Sequence, residues 1–158
     1  MRTDITTDPG TTPNALAVSP VRAAADTIQR WLAVTGVVLC ALQVALAALG
    51  FWGVTEHPGD EAADKAAFAP HAVNGEILGW VAVAMLICGI ITRVNKLVWV
   101  GPLVAAVLLW AVQGPLVGLG FEVSRYFGAL HALSGMLITA LFCWVAYDRW
   151  PHRAGRRG

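Results

Sequence analysis

Four uninterrupted apolar stretches dominate the chain: Trp31 to Gly53, Ala72 to Thr92, Leu97 to Phe121 and Tyr126 to Tyr147. Each is 21 residues or longer, and about 20 residues at a rise of roughly 1.5 Å cross a hydrocarbon core of roughly 30 Å. The only acidic, basic or imidazole side chains inside them are Glu76 and His131. In lipid every backbone polar group must bond within its own segment, so these stretches are expected to be helices despite their many Val and Ile residues. A soluble fold is excluded by composition, since charged residues make up 13% of the chain where a soluble domain carries about 25%. The expected fold is an all-α membrane protein, a four-transmembrane-helix bundle.

The distribution of charge orients it. Arg2, Arg22 and Arg30 precede the first stretch, Arg93 and Lys96 lie between the second and third, and Arg149, Arg153, Arg156 and Arg157 follow the fourth. The segment Val54 to His71 instead carries Glu56, Asp60, Glu61 and Asp64 against Lys65. The positive-inside bias therefore predicts cytoplasmic termini and a location in the cell inner membrane. Trp31, Trp99 and Trp150 fall at the inner interface and Trp52 at the outer one. Residues 1 to 28, rich in Thr, Pro, Ala and Asp, read as a disordered cytoplasmic tail, and residues 150 to 158 as a basic one. The acidic segment, with His57, reads as a solvated outer loop. Cys40, Cys88 and Cys143 all lie within helices and read as small buried apolar residues, with no disulfide or metal motif.

The chain also repeats itself. Leu42 to Phe51 reads LQVALAALGF and Val112 to Phe121 reads VQGPLVGLGF, identical at five of ten positions. A Gln at matching depth in two apolar helices is the costly coincidence, and it names Gln43 and Gln113. The following helices match too, His71-Ala72-Val73-Asn74-Gly75 against His131-Ala132-Leu133-Ser134-Gly135. Two helix pairs with one direction of travel imply two parallel two-helix repeats about an axis along the membrane normal.

In each copy a Gly follows the His by four residues, one turn along the same helix face. An imidazole beside a glycine notch suits a haem: His71 and His131 would supply axial nitrogens, and Gly75 and Gly135 would let the flat ring lie close. The expected cofactor is one haem b, ligated by two histidines near the outer face. Gln43 and Gln113 are either interhelical glue or contacts to the cofactor. Glu76 is either a proton partner for a quinone or a snorkelling interface residue. Arg125 and Lys65 are either partners of the haem propionates or interface anchors. Pro115 leaves the carbonyl of Ala111 without its helical donor and should bend the third helix near Gln113.

The Gln-x-x-Leu-x-x-Leu-Gly run that ends one helix, followed by a His-bearing helix, resembles the four-helix half of heme A synthase, in which paired histidines bind haem. It is also similar to small four-helix bacterial membrane proteins that correspond to such a half standing alone. The resemblance spans Trp31 to Tyr147, and its implication of haem binding carries onto Gln43, Gln113, His71 and His131. The chain departs from that pattern in having one four-helix unit and no cysteine pair in an outer loop, so haem A synthesis is not implied.

The expected function is thus a small cytochrome b that passes single electrons between quinol and an outer-face partner, with a membrane redox partner or a homo-oligomer as the expected association. Its competitor is a haem-free structural or assembly subunit, in which Gln43, Gln113, Asn74 and Ser134 bind neighbouring helices. No P-loop, nucleophile elbow, HExxH motif or basic nucleic-acid patch is present. A channel or carrier has little support, because only one acid lies within the helices and no broken-helix pair is evident.

Overall fold

The computed structural model describes residues 19–56, 58–93 and 96–150. The described chain is helical almost throughout: α1 (Pro20–Glu56), α2 (Glu61–Thr92), α3 (Lys96–Val107), a π-helical turn (Leu108–Val112), α4 (Gln113–Glu122) and α5 (Arg125–Asp148). The third apolar stretch is one rod made of α3, the π turn and α4. With it, α1, α2 and α5 complete four helical segments long and apolar enough to cross a membrane.

Two boundaries differ from expectation. The tail expected to run to residue 28 is helical from Pro20 onward, a residue suited to a first helical turn because it has no N–H to leave unpaired. Residues 1 to 18, 151 to 158 and His57 lie outside the described residues, so most of both expected tails does too. The expected outer loop is also largely helix. Gly59 turns the chain at φ 85°, and Asp60 caps α2 by accepting from the N–H groups of Ala62 at 2.9 Å and Ala63 at 3.1 Å. Glu61 and Asp64 then sit in the first turn, where negative charge complements the helix dipole. The stretch from Glu61 to Ala69 is polar enough to end a hydropathy block, but it is rich in Ala, the strongest helix former.

The core lies toward one end, here called the base, where α1 begins and α5 finishes. It comprises Ala33 and Cys40 of α1, Leu78, Ala82 and Met85 of α2, Ala105 and Ala106 of α3, and Ile138, Phe142 and Val145 of α5. Close approach depends on small residues: a Cβ on Gly36 would stand 2.3 Å from the ring of Phe142. Cys40 and Cys88 are buried as expected, whereas Cys143 faces outward. Beside the core, Asp26 pairs with Arg30 at 3.3 Å and with Arg149.

Around the bundle α1 packs against α2 and α5, and α3 packs against the same two. The two histidine-bearing helices, α2 and α5, therefore face each other on a diagonal. Toward the opposite end, the head, packing thins. Helix α4 leans on α5, and neither it nor the π turn contributes a buried residue.

Candidate functional site

His71, in the third turn of α2, and His131, in the second turn of α5, meet across that diagonal at the head. Their ring centroids are 6.2 Å apart with 50° between the planes. Both side chains are half-buried. That they reach one level despite their different distances from a helix start stems from the early start of α2 and from Ser124, which caps α5.

Each ring is held by the helix that precedes its own. Nδ1 of His71 lies 3.2 Å from the carbonyl oxygen of Gln43, and Nδ1 of His131 lies 3.3 Å from that of Gln113. A carbonyl can only accept, so in each ring Nδ1 carries the proton and Nε2 the lone pair. The glutamine amides answer in the other direction. Gln43 Nε2 donates to the His71 carbonyl at 2.9 Å, and Gln113 Nε2 to the His131 carbonyl at 3.4 Å. Three residues past each histidine a small polar side chain joins in. Asn74 Nδ2 donates to Gln43 Oε1 and to the Leu39 carbonyl at 3.0 Å, while Gln113 Nε2 donates to Ser134 Oγ at 2.9 Å.

A Cβ on Gly75 would lie 3.4 Å from Gln43 Nε2, and one on Gly135 would lie 3.7 Å from Gln113 Nε2, so each glycine sits at contact distance from the glutamine of the preceding helix. Gln43, His71, Asn74 and Gly75 thus form one unit, and Gln113, His131, Ser134 and Gly135 form its counterpart.

The two units differ in what covers the imidazole. Gln43 Nε2 lies 3.2 Å from His71 Nε2, and Phe68 meets the His71 ring edge to face at 6.2 Å. Three residues before His131 the chain has Gly128, with open space where a side chain would be. Gln113 Oε1 is buried without a partner among the described residues. Phe68 had no sequence signal as a site residue beyond its spacing from His71.

A metal ion held by protein alone takes about four ligands, and no group of three or more His, Cys, Asp or Glu gathers among the described residues. Two imidazoles suit a metal whose other positions come from a macrocycle. The two ring centroids here are 6.2 Å apart. Two facing histidines, each with Nδ1 bonded to a backbone carbonyl, are a donor set that a bis-imidazole haem would use once His71 Nε2 leaves the Gln43 amide.

Glu76 is exposed on α2, Lys65 is exposed near the start of the same helix, and Arg125 stacks over Tyr126 at 5.9 Å. Glu56, Asp60 and Glu61 are exposed around the turn between α1 and α2, and Asp64 is half-buried. No known family model, curated protein or solved structure matches the chain.

Proposed function

We propose that this chain is a four-pass protein of the cell inner membrane, with both termini cytoplasmic, that binds one haem b through His71 and His131 and carries single electrons near the outer face. The observation that carries the proposal is the pair of imidazoles 6.2 Å apart on diagonal helices, each with Nδ1 committed to a backbone carbonyl. Membrane insertion is supported by the apolar side chains exposed along all four segments, among them Val38 and Leu42, Ile77 and Ile87, Val104 and Val107, and Leu133 and Leu137. The matched Gln-His-polar-Gly units support two parallel repeats, and with them the resemblance to one half of heme A synthase.

A haem held by His71 and His131 would supply a one-electron couple, and ligation by two imidazoles would favour electron transfer over binding of oxygen or substrate. The chain's own residues prepare that site. The carbonyls of Gln43 and Gln113 hold each ring in the tautomer that offers Nε2 and raise its basicity, as outer partners of metal-bound histidines do. Gly75 and Gly135 lie at contact distance from the amides of those glutamines. Glu76 faces outward, where a lipid-soluble quinol would arrive, and is the group suited to take its proton.

The test is an absorption spectrum of the detergent-purified protein from haem-replete cells, oxidised and then reduced. A low-spin spectrum, altered by either His71→Ala or His131→Ala, is expected. The closed network of Gln43, His71 and Asn74 satisfies itself without a ligand, which favours the second reading, a haem-free structural or assembly subunit. A colourless protein would favour that reading.

A further inference from the structure

The two imidazoles are not equivalent. Asn74 donates to Gln43 Oε1, which fixes the orientation of that amide, so its two N–H groups are the ones that point at the His71 carbonyl and at His71 Nε2. The nitrogen that a metal needs is thereby capped, and Phe68 stands against the same ring. On the other side Ser134 gives its hydroxyl proton to the His131 carbonyl at 3.1 Å and so accepts from Gln113, drawing that amide toward itself. Among the described residues no amide is bonded to His131 Nε2, and Gly128 leaves the neighbouring turn bare.

We infer that His131 is the capturing ligand and His71 the completing one, with Gln43 acting as a latch that must release His71 Nε2 before the second bond can form. This rests on the proposed haem site and assigns an order to its two ligands. Gln43 is a positioning residue here, acting through His71.

The experiment titrates haemin into protein purified from haem-depleted cells. Wild-type protein should give a low-spin spectrum. His71→Ala should still bind haemin, with a high-spin spectrum from a single imidazole. His131→Ala should bind at least about tenfold more weakly, the scale on which outer partners of a metal ligand act. Adding Gln43→Met to His131→Ala keeps side-chain length, removes the capping donor, and should restore binding to within a few-fold of His71→Ala. Equal affinities for the two single histidine variants would overturn the inference while leaving the haem site standing, as would a folded double variant that stays weak. If the double variant does not fold, by its circular dichroism, the comparison of the single variants decides alone. Wild-type protein that leaves haemin unbound would instead remove the haem reading itself.

Discussion

Gln29 is fully buried, and its partners explain why an amide is kept there. Pro102 has no N–H, so the Val98 carbonyl one turn earlier lacks its helical donor. Gln29 Nε2 donates to that oxygen at 3.0 Å and to the Met85 carbonyl at 3.0 Å, tying α1 to both α2 and α3. Gly89 permits the contact, since a Cβ there would lie 2.8 Å from Gln29 Nε2. Gln29→Leu leaves the Val98 oxygen unpaired in an apolar interior and should destabilise the protein by about 1 to 3 kcal/mol. Thermal unfolding in detergent measures this, and an unchanged midpoint would mean that the amide is not the tie. Gly36→Ala should cost a similar amount, about 1 to 3 kcal/mol, by overpacking against Phe142. The same assay reads it, and the expectation fails if the variant is as stable as wild type. Neither residue is legible in the sequence. A lone Gln near a helix start carries no mark of the proline on another helix that makes it necessary.

Among the elements, the rod of α3 and α4 is the one whose irregularity positions the site. Pro115 announced a break near Gln113, and the chain does depart from α-helix there, though the departure is a π turn before the proline, closed by the Gln113 N–H to the Leu108 carbonyl. One extra residue in a turn rotates the downstream helix by roughly 100°, so the π turn sets which way Gln113 faces. Packing supports it: Trp110, inside the turn, lies over Gly79 and meets Trp80 at 5.3 Å. Deleting Ala111 leaves the Gln113 N–H four residues from the Leu108 carbonyl, so it should regularise the rod, keep Gln113 beside His131 and leave the spectrum expected of the proposed haem site unchanged, with helical content by circular dichroism near wild type. Loss of that spectrum in the variant would show that the wide turn does more than take up one residue. Proline was readable as a helix breaker from its missing N–H. The wide turn was not, because local rules describe bonds four residues apart, and only a tryptophan seated on a distant glycine favours five.

For the whole molecule, the uneven lengths of the helices matter most. Helix α1 has 37 residues and α2 has 32, or about 55 Å and 48 Å at the standard rise, well beyond a hydrocarbon core of about 30 Å. Helix α5 has 24, or about 36 Å. The α1–α2 hairpin therefore stands beyond the rest at the head, held by Gly53 against Ala67 and Gly50 against Phe68. If both termini are cytoplasmic, a membrane-impermeant thiol reagent applied to intact cells with a permeable outer envelope should label Pro58→Cys and spare Ser19→Cys, each in a Cys143→Ala background. The reverse pattern would invert the proposed topology.

The number of long apolar helices was settled by sequence alone, because hydropathy over a window and the need for each backbone to bond itself are properties of one segment at a time. The correspondence of Gln43 with Gln113 and of His71 with His131 was legible for a related reason: a repeat is a comparison along the chain. Folding alone decided that α2 and α5 lie on a diagonal, that α2 begins at Glu61, and that Gln43 reaches His71 Nε2 while Gln113 turns to Ser134. Each of these depends on which side chain of one helix meets which atom of another, and such meetings are fixed by packing over long separations that no local pattern records.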